Sequence, residues 1–316
     1  MGRFVLRRLA VAVPVVLGVT LINYLLINLA PGSPVDALVD PLAGPEAREA
    51  KRRELGLDQP IYVRYGLWLV EVARGNLGYS YADYRPVAQK LAERIAPTAA
   101  LAGSAFLIAY LVAIALGVVS ALRPYSGVDF LATFAGILGV SVPSFFFGLG
   151  AIYLLSLKVP VFPTGGMLAT GQPFTVPDFL AHLALPALTL ALFDLGSLVR
   201  YTRASMLEVL NQDYIRTARA KGLSERQVVF GHALRNALNP LITQVGLALP
   251  RLLGGAVVIE TVFQWPGMGR LAIQAILQRD YPVLMGLNLM IALLVIAGSL
   301  LADVLYSVAD PRIRYS

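Results

Sequence analysis

Apolar residues in this chain gather into long runs separated by polar segments of very unequal length. A helix rising 1.5 Å per residue needs about 20 apolar residues to cross about 30 Å of hydrocarbon. Six stretches reach that length: 9–30, 98–122, 130–157, 179–199, 240–263 and 283–306. Pro143 interrupts the third and Pro250 the fifth; each removes a backbone donor, so a kink is expected at both. The pattern predicts an all-α membrane protein with six transmembrane helices. The first run follows Arg3, Arg7 and Arg8, as a signal peptide would. Its apolar stretch is about 22 residues long against about 7–15 for a signal core, which favours a retained anchor.

Two polar segments are long enough to fold. Residues 31–97 form an insertion after the first span. Within it 45–55 is charged and helix-favouring, 61–72 has apolar residues at helical spacing, and Gly75, Gly78, Tyr79 and Tyr81 form a turn-rich aromatic patch. This insertion suits either a cap on the bundle or a surface that receives a partner. The second segment, 200–239, joins the fourth and fifth spans. There Ile215, Ala218 and Leu223 make an apolar stripe, and Arg216, Arg219 and Lys221 decorate the remaining surface. Asp213 stands where an N-cap would and Gly222 where a left-handed stop would. A helix of about two turns across the membrane surface is predicted, then a second over 225–238. A basic amphipathic helix can rest on anionic lipid. The tight run Ala218-x-Ala220-x-Gly222 instead favours close approach to protein.

Composition narrows the possibilities. Of 316 residues, 57% are hydrophobic and 14% charged, too few charges to coat a water-facing surface. The net charge of +7 reflects topology and gives no reason to invoke nucleic acid. With the N-terminus inside, the short cytoplasmic segments hold Arg3, Arg7, Arg8, Arg123, seven basic residues from Arg200 to Arg235, and Arg312 and Arg314. The short outer loops hold Lys158, Arg270 and Arg279. The insertion carries nine basic and nine acidic residues and is long enough to be exempt from the rule. Both termini are therefore expected in the cytoplasm. There is no cysteine, which excludes disulfides and thiolate chemistry. His182 and His232 fall in different segments, which leaves no basis for a metal site. No Gly-Lys pair occurs, so a phosphate-binding P-loop is absent and any ATP hydrolysis belongs to another chain.

Residues 213–222 read Asp-Tyr-Ile-Arg-Thr-Ala-Arg-Ala-Lys-Gly. The run resembles the cytoplasmic coupling loop of ABC importer permeases in the wording of their dipeptide, oligopeptide and nickel branch. It departs from the general Glu-Ala-Ala-x-x-x-Gly pattern at Arg216 and Thr217, and Leu234-Arg235 replaces the later Leu-Pro pair. Three further stretches resemble that branch in its order: Leu55-Gly-Leu-Asp-Gln-Pro with Gly75-Asn-Leu-Gly-Tyr-Ser, then Ile259-Glu-Thr-Val-Phe-Gln-Trp-Pro-Gly-Met-Gly-Arg, then Asp310-Pro-Arg-Ile-Arg. The resemblance implies a type I ABC importer permease fold in a bacterial or archaeal plasma membrane. It divides the chain into a first helix (1–30), an extracytoplasmic insertion (31–97), a five-helix core (98–308) holding the coupling loop (200–239), and a cytoplasmic tail (309–316). It implies as partners a second homologous permease, two ABC ATPase subunits that carry ATP and magnesium, and an extracytoplasmic solute-binding protein, with no cofactor on this chain. Its ATPase-coupling residues would be Asp213, Tyr214, Ile215, Arg216, Thr217, Ala218, Ala220, Lys221, Gly222 and Leu223. Ile215, Ala218 and Leu223 would make buried contacts, Arg216 and Lys221 would set register, and Gly222 would allow the turn.

A charge in mid-span costs about 2.5–3.5 kcal/mol on insertion scales, so Asp194 and Arg251 are candidate pathway residues. Arg251 stands about 16 Å and Asp194 about 8 Å above the inner ends of their helices. They can form a buried ion pair, line a pathway and meet solute, or snorkel to water. Glu260 is expected at the outer interface. An ion-coupled secondary transporter or a non-conducting scaffold subunit remain alternatives. No internal repeat favours the former, and no nucleophile–base pair supports an enzyme.

Overall fold

The computed structural model describes residues 2–40, 44–238, 241 and 256–309. Regular structure among them is helical, apart from one isolated bridge pairing Tyr79 with Pro86. Helix α1 (Gly2–Leu29) leads into a three-helix insertion of α2 (Pro34–Leu38), α3 (Pro45–Glu54) and α4 (Ile61–Ala73). The bundle follows with α5 (Val87–Leu122), α6 (Gly127–Ser141), α7 (Ser144–Ile152) and α8 (Val176–Leu210). Then come α9 (Asp213–Ala220) and α10 (Glu225–Gln227), which runs through a π-helical turn (Val228–Ala233) into α11 (Leu234–Ala237). Beyond the next stretch lie α12 (Val257–Val262), α13 (Met268–Leu277) and α14 (Tyr281–Ala309).

Among the described residues four helices are long and apolar enough to cross a membrane: Ala10–Leu29 within α1, α5, α8, and Tyr281–Leu300 within α14. The third expected span is two pieces. Helix α6 stops at Ser141, and α7 starts at Ser144 with Pro143 as its N-cap. The kink anticipated at Pro143 is thus a break between helices, because a proline fits the start of a helix far better than its middle. Pro250 and most of the fifth expected span lie outside the described residues, and only its exit is seen, as α12. The C-terminal 310–314 motif is also outside them.

Helix ends and apolar windows differ. Helix α5 begins at Val87, inside the expected insertion. Val87 and Leu91 are buried there while Gln89, Glu93 and Arg94 face outward or partly outward. An amphipathic first turn continues the helix where the lipid-facing run has already ended. Likewise α8 carries on to Leu210, well past its apolar window.

The α5–α8 pair makes the most extensive contact in the bundle. Its basis is a spacing of four along α5: Leu101, Ala105, Ala109, Ala113, Gly117 and Ala121 are all buried. Small side chains in one row let two backbones approach closely, which is how helices bind where lipid removes the hydrophobic incentive. Helix α6 crosses α8 even more tightly, since a Cβ on Gly196 would fall 2.2 Å from the Gly136 Cα. The core continues along α5 as successive layers, from Val87 and Leu91 against α13 and α14 to Val118 and Ala121 against α9. Helix α1 sits at the edge, against α14 and α4.

Near the insertion end, Glu260 is completely buried within the protein. Its carboxylate accepts hydrogen bonds from Thr98 Oγ1 (2.8 Å) and the Arg270 backbone N–H (3.0 Å). Thr98 Oγ1 in turn accepts from Met268 N–H at 2.8 Å, and Trp265 Nε1 donates to the Pro97 carbonyl at 2.8 Å. This polar knot ties α5 to α12 and α13.

Candidate docking surface and pathway residues

Helix α9 is built by local rules. It is two turns long, as its spacing predicts. Asp213 is the first helical residue and not the cap; Gln212 holds the cap position without a side-chain bond. The Asp213 side chain is exposed and lies 3.6 Å from Arg216. Glycine supplies the stop. Gly222 has φ +79, Gly222 N–H donates to the Arg219 carbonyl, and Leu223 N–H donates to the Ala218 carbonyl. That pair of bonds is a Schellman motif, which satisfies carbonyls the helix end would otherwise leave bare. Ser224 and Gln227 then form a capping box that starts α10. Arg219 clamps the two helices through Glu225 at 2.7 Å, and the Arg219 hydrogen bond holds the Glu225 carboxyl below its ordinary range.

The apolar stripe has a different partner from the one expected. Ile215 is 0% and Ala218 7% exposed, packed in a cluster with Val118 and Ala121 of α5, Met206 of α8, and Val228, Val229, Ala233 and Ala237. These two residues anchor α9 to its own chain. Leu223 stands apart from them at the exposed margin. The outward stripe is Tyr214, Thr217 and Lys221, spaced i, i+3, i+7 on one helix face, with Arg216 and Ala220 beside it, all exposed. Phe230 adds a bare aromatic ring at 59% exposure. Ser205 Oγ donates to the Ala237 carbonyl at 2.9 Å, which holds α11 against α8. The result is a polar-rimmed surface with aromatic and aliphatic points, fixed rigidly to the ends of α5 and α8.

A second clamp at this end escapes a search by motif. Arg203 Nε and a terminal guanidinium nitrogen donate to the two Asp129 oxygens at 2.7 and 2.9 Å, and Tyr125 N–H adds a third bond at 2.9 Å. Asp129 is 5% exposed. The Arg203 bonds hold its carboxyl well below the usual carboxylate range. The clamp joins the first turn of α6 to α8.

Of the two pathway candidates, Asp194 is exposed on the flank of α8. Ser197 Oγ donates to its carbonyl at 2.9 Å. Arg251 lies outside the described residues. Among the described residues no group of three or more His, Cys, Asp or Glu side chains is arranged to hold a metal ion.

Comparisons with known proteins agree along the whole chain. Residues 113–315 match the model of the binding-protein-dependent transport system inner membrane component, and residues 1–102 match the model of its N-terminal region. The oligopeptide transport system permease protein AppB of Bacillus subtilis is 43% identical over 100% of both chains. A putative peptide transport system permease protein of Brucella abortus is 45% identical over 100% of both chains. The dipeptide transport system permease protein DppB of Alkalihalophilus pseudofirmus is 36% identical over 99% of each. Among solved structures, a chain of the inward-facing MetNI methionine ABC transporter aligns with a TM-score of 0.48 and 19% identity, over 69% of this chain and 95% of that one. With both family models matched in order and relatives alike from end to end, the chain belongs to the family of binding-protein-dependent transport system inner membrane components, as a permease subunit.

Proposed function

We propose that this permease forms half of the pathway of an ATP-driven importer for peptides or related solutes. It pairs with a second homologous permease above two ABC ATPase subunits, which hold ATP and magnesium, and takes solute from an extracytoplasmic binding protein. Six spans put both termini in the cytoplasm and the insertion outside. The observation that carries the reading is the two-sidedness of α9: one face is locked into the ends of α5 and α8, and the other is left bare. A push on the bare face would therefore be passed to two long helices without loss in a flexible linker. In this role Tyr214, Arg216, Thr217, Ala220, Lys221 and Leu223 meet the ATPase, Asp213, Ile215, Ala218 and Gly222 hold them in position, and Asp194 and Arg251 line the pathway.

Two measurements test it. Mild-detergent purification of the tagged chain is expected to bring down P-loop ATPases and a second permease, identified by mass spectrometry; a chain that comes down alone would overturn the reading. Leu223→Glu is expected to lower peptide uptake about tenfold or more while leaving chain abundance unchanged, because an apolar side chain at the edge of the contact is replaced by a charge that must be desolvated on docking. Undiminished uptake would remove Leu223 from the contact.

A further inference from the structure

A cavity of about 310 Å³ opens near the insertion end of the bundle, walled by α1, α4 and the start of α14. Tyr24 and Asn28 line it from α1, Arg64 and Trp68 from α4, and Tyr81 and Tyr281 complete the wall. Two of these residues bring donors with nothing to donate to: Arg64 Nε and Trp68 Nε1 are buried and lack a hydrogen-bond partner among the described residues. Arg64 also has no carboxylate within ion-pair distance among them. Glu71 lines the same cavity, yet its two oxygens are taken by Arg74 at 3.1 Å and Asn76 at 2.8 Å. The Asp280 carboxylate nearby is taken by Ser80 and by the Tyr81 backbone N–H. Burial pushes the Tyr81 phenol up to about 12, so it stays a neutral donor.

The depth of the site says what kind of anion can reach it. Tyr65 of α4 bonds Thr20 Oγ1 at 3.0 Å and the Leu17 carbonyl at 3.2 Å, both in the middle of the apolar Ala10–Leu29 segment. That contact is about 14 Å along the helix from Leu29, so α4 is sunk into the hydrocarbon on the insertion's side. Leu67 lines the cavity, and the face of α4 that carries it is apolar and bare: Val63 is 36%, Leu67 55% and Val70 48% exposed. A cation in this setting needs a counter-ion that arrives with its own apolar tail, and an unsatisfied buried donor is costly.

We propose that the cavity binds the headgroup of an anionic glycerophospholipid from the leaflet on the insertion's side, its phosphate on Arg64 and Trp68 and its acyl chains along Val63, Leu67 and Val70 of α4. The site glues α4 to the edge helix α1 through a lipid. It stands independently of the transport role.

Trp68 is one of two tryptophans, and the other, Trp265, is completely buried. Its emission in the full chain is isolated by difference against Trp68→Phe. The chain, with any subunits that accompany it, is reconstituted in vesicles where either phosphatidylglycerol or phosphatidylcholine carries brominated acyl chains. Brominated phosphatidylglycerol is expected to quench Trp68 at about tenfold lower mole fraction than brominated phosphatidylcholine, as one charge-assisted bond would give. Arg64→Gln is expected to bring the ratio close to one. Equal quenching by the two lipids in the unmutated protein would overturn the proposal, and that comparison needs no variant to fold. Relief of quenching by millimolar inorganic phosphate would overturn it in favour of a soluble anion, and relief by an oligopeptide in favour of a peptide site.

Discussion

Thr98 is the residue on which the polar knot turns. Its hydroxyl donates to the buried Glu260 carboxylate and accepts from the Met268 N–H, so removing it strands two groups away from water. Thr98→Val is expected to destabilise the folded chain by about 2–4 kcal/mol, and Thr98→Ser far less, since unpaired buried groups cost their full desolvation; thermal denaturation in detergent measures both. Asp129 gives a prediction with a sign. Its folded carboxyl titrates below the ordinary value because Arg203 and the Tyr125 N–H bond the ionised form. The stabilisation is therefore complete above the unfolded value of about 3.9 and is lost as pH falls through the lower folded value. The gap in melting temperature between the natural protein and Asp129→Asn is expected to hold steady from about pH 7 to 5 and to close below about pH 4. A gap unchanged at pH 3 would mean the ion pair is not its source. Neither cluster was legible beforehand, for the same reason. Thr98 and Glu260 are 162 positions apart and Asp129 and Arg203 are 74 apart, and no local pattern announces such a pairing.

Elements governed by short-range chemistry were readable. The limits of α9, its glycine stop and the helix after it follow from spacing and turn geometry within ten residues. The stripe of Ile215 and Ala218 was equally visible, but a stripe does not say which protein covers it; here its own α5 and α8 do. The row from Leu101 to Ala121 was also present in the sequence, hidden because a span that is apolar all round has no contrast between faces. Its counterpart on α8 can be tested. Gly196→Leu is expected to separate α6 from α8 and cost about 1–3 kcal/mol or more, the range for overpacking a filled contact, because what it meets is Gly136 backbone. Thermal stability in detergent gives the value, and a loss below about 0.5 kcal/mol would mean the crossing is slack.

At the scale of the whole molecule, hydropathy did not mark where helices begin and end, since α5 and α8 both run on past their apolar windows. Sidedness is the property left to measure, and the natural absence of cysteine makes single-cysteine labelling direct. In intact cells an impermeant thiol reagent is expected to modify Tyr84→Cys and to spare Lys221→Cys until the membrane is opened. The reverse pattern would invert the topology. Within that frame α8 has a mechanical consequence. It is one unbroken helix of 35 residues, about 52 Å long, gripped at Gly196 by its crossing with α6. From that fulcrum the arm toward α9 is about 21 Å and the arm toward Val176 about 30 Å. Were α8 to pivot there as a rigid rod, a sideways displacement of about 3 Å at the short end would become about 4 Å at the far one. The long arm contains Pro186, a point of compliance that absorbs part of the swing. In such a pivot the ratio of the two arms would be set by where two glycines meet, and the stiffness of the long arm by one proline.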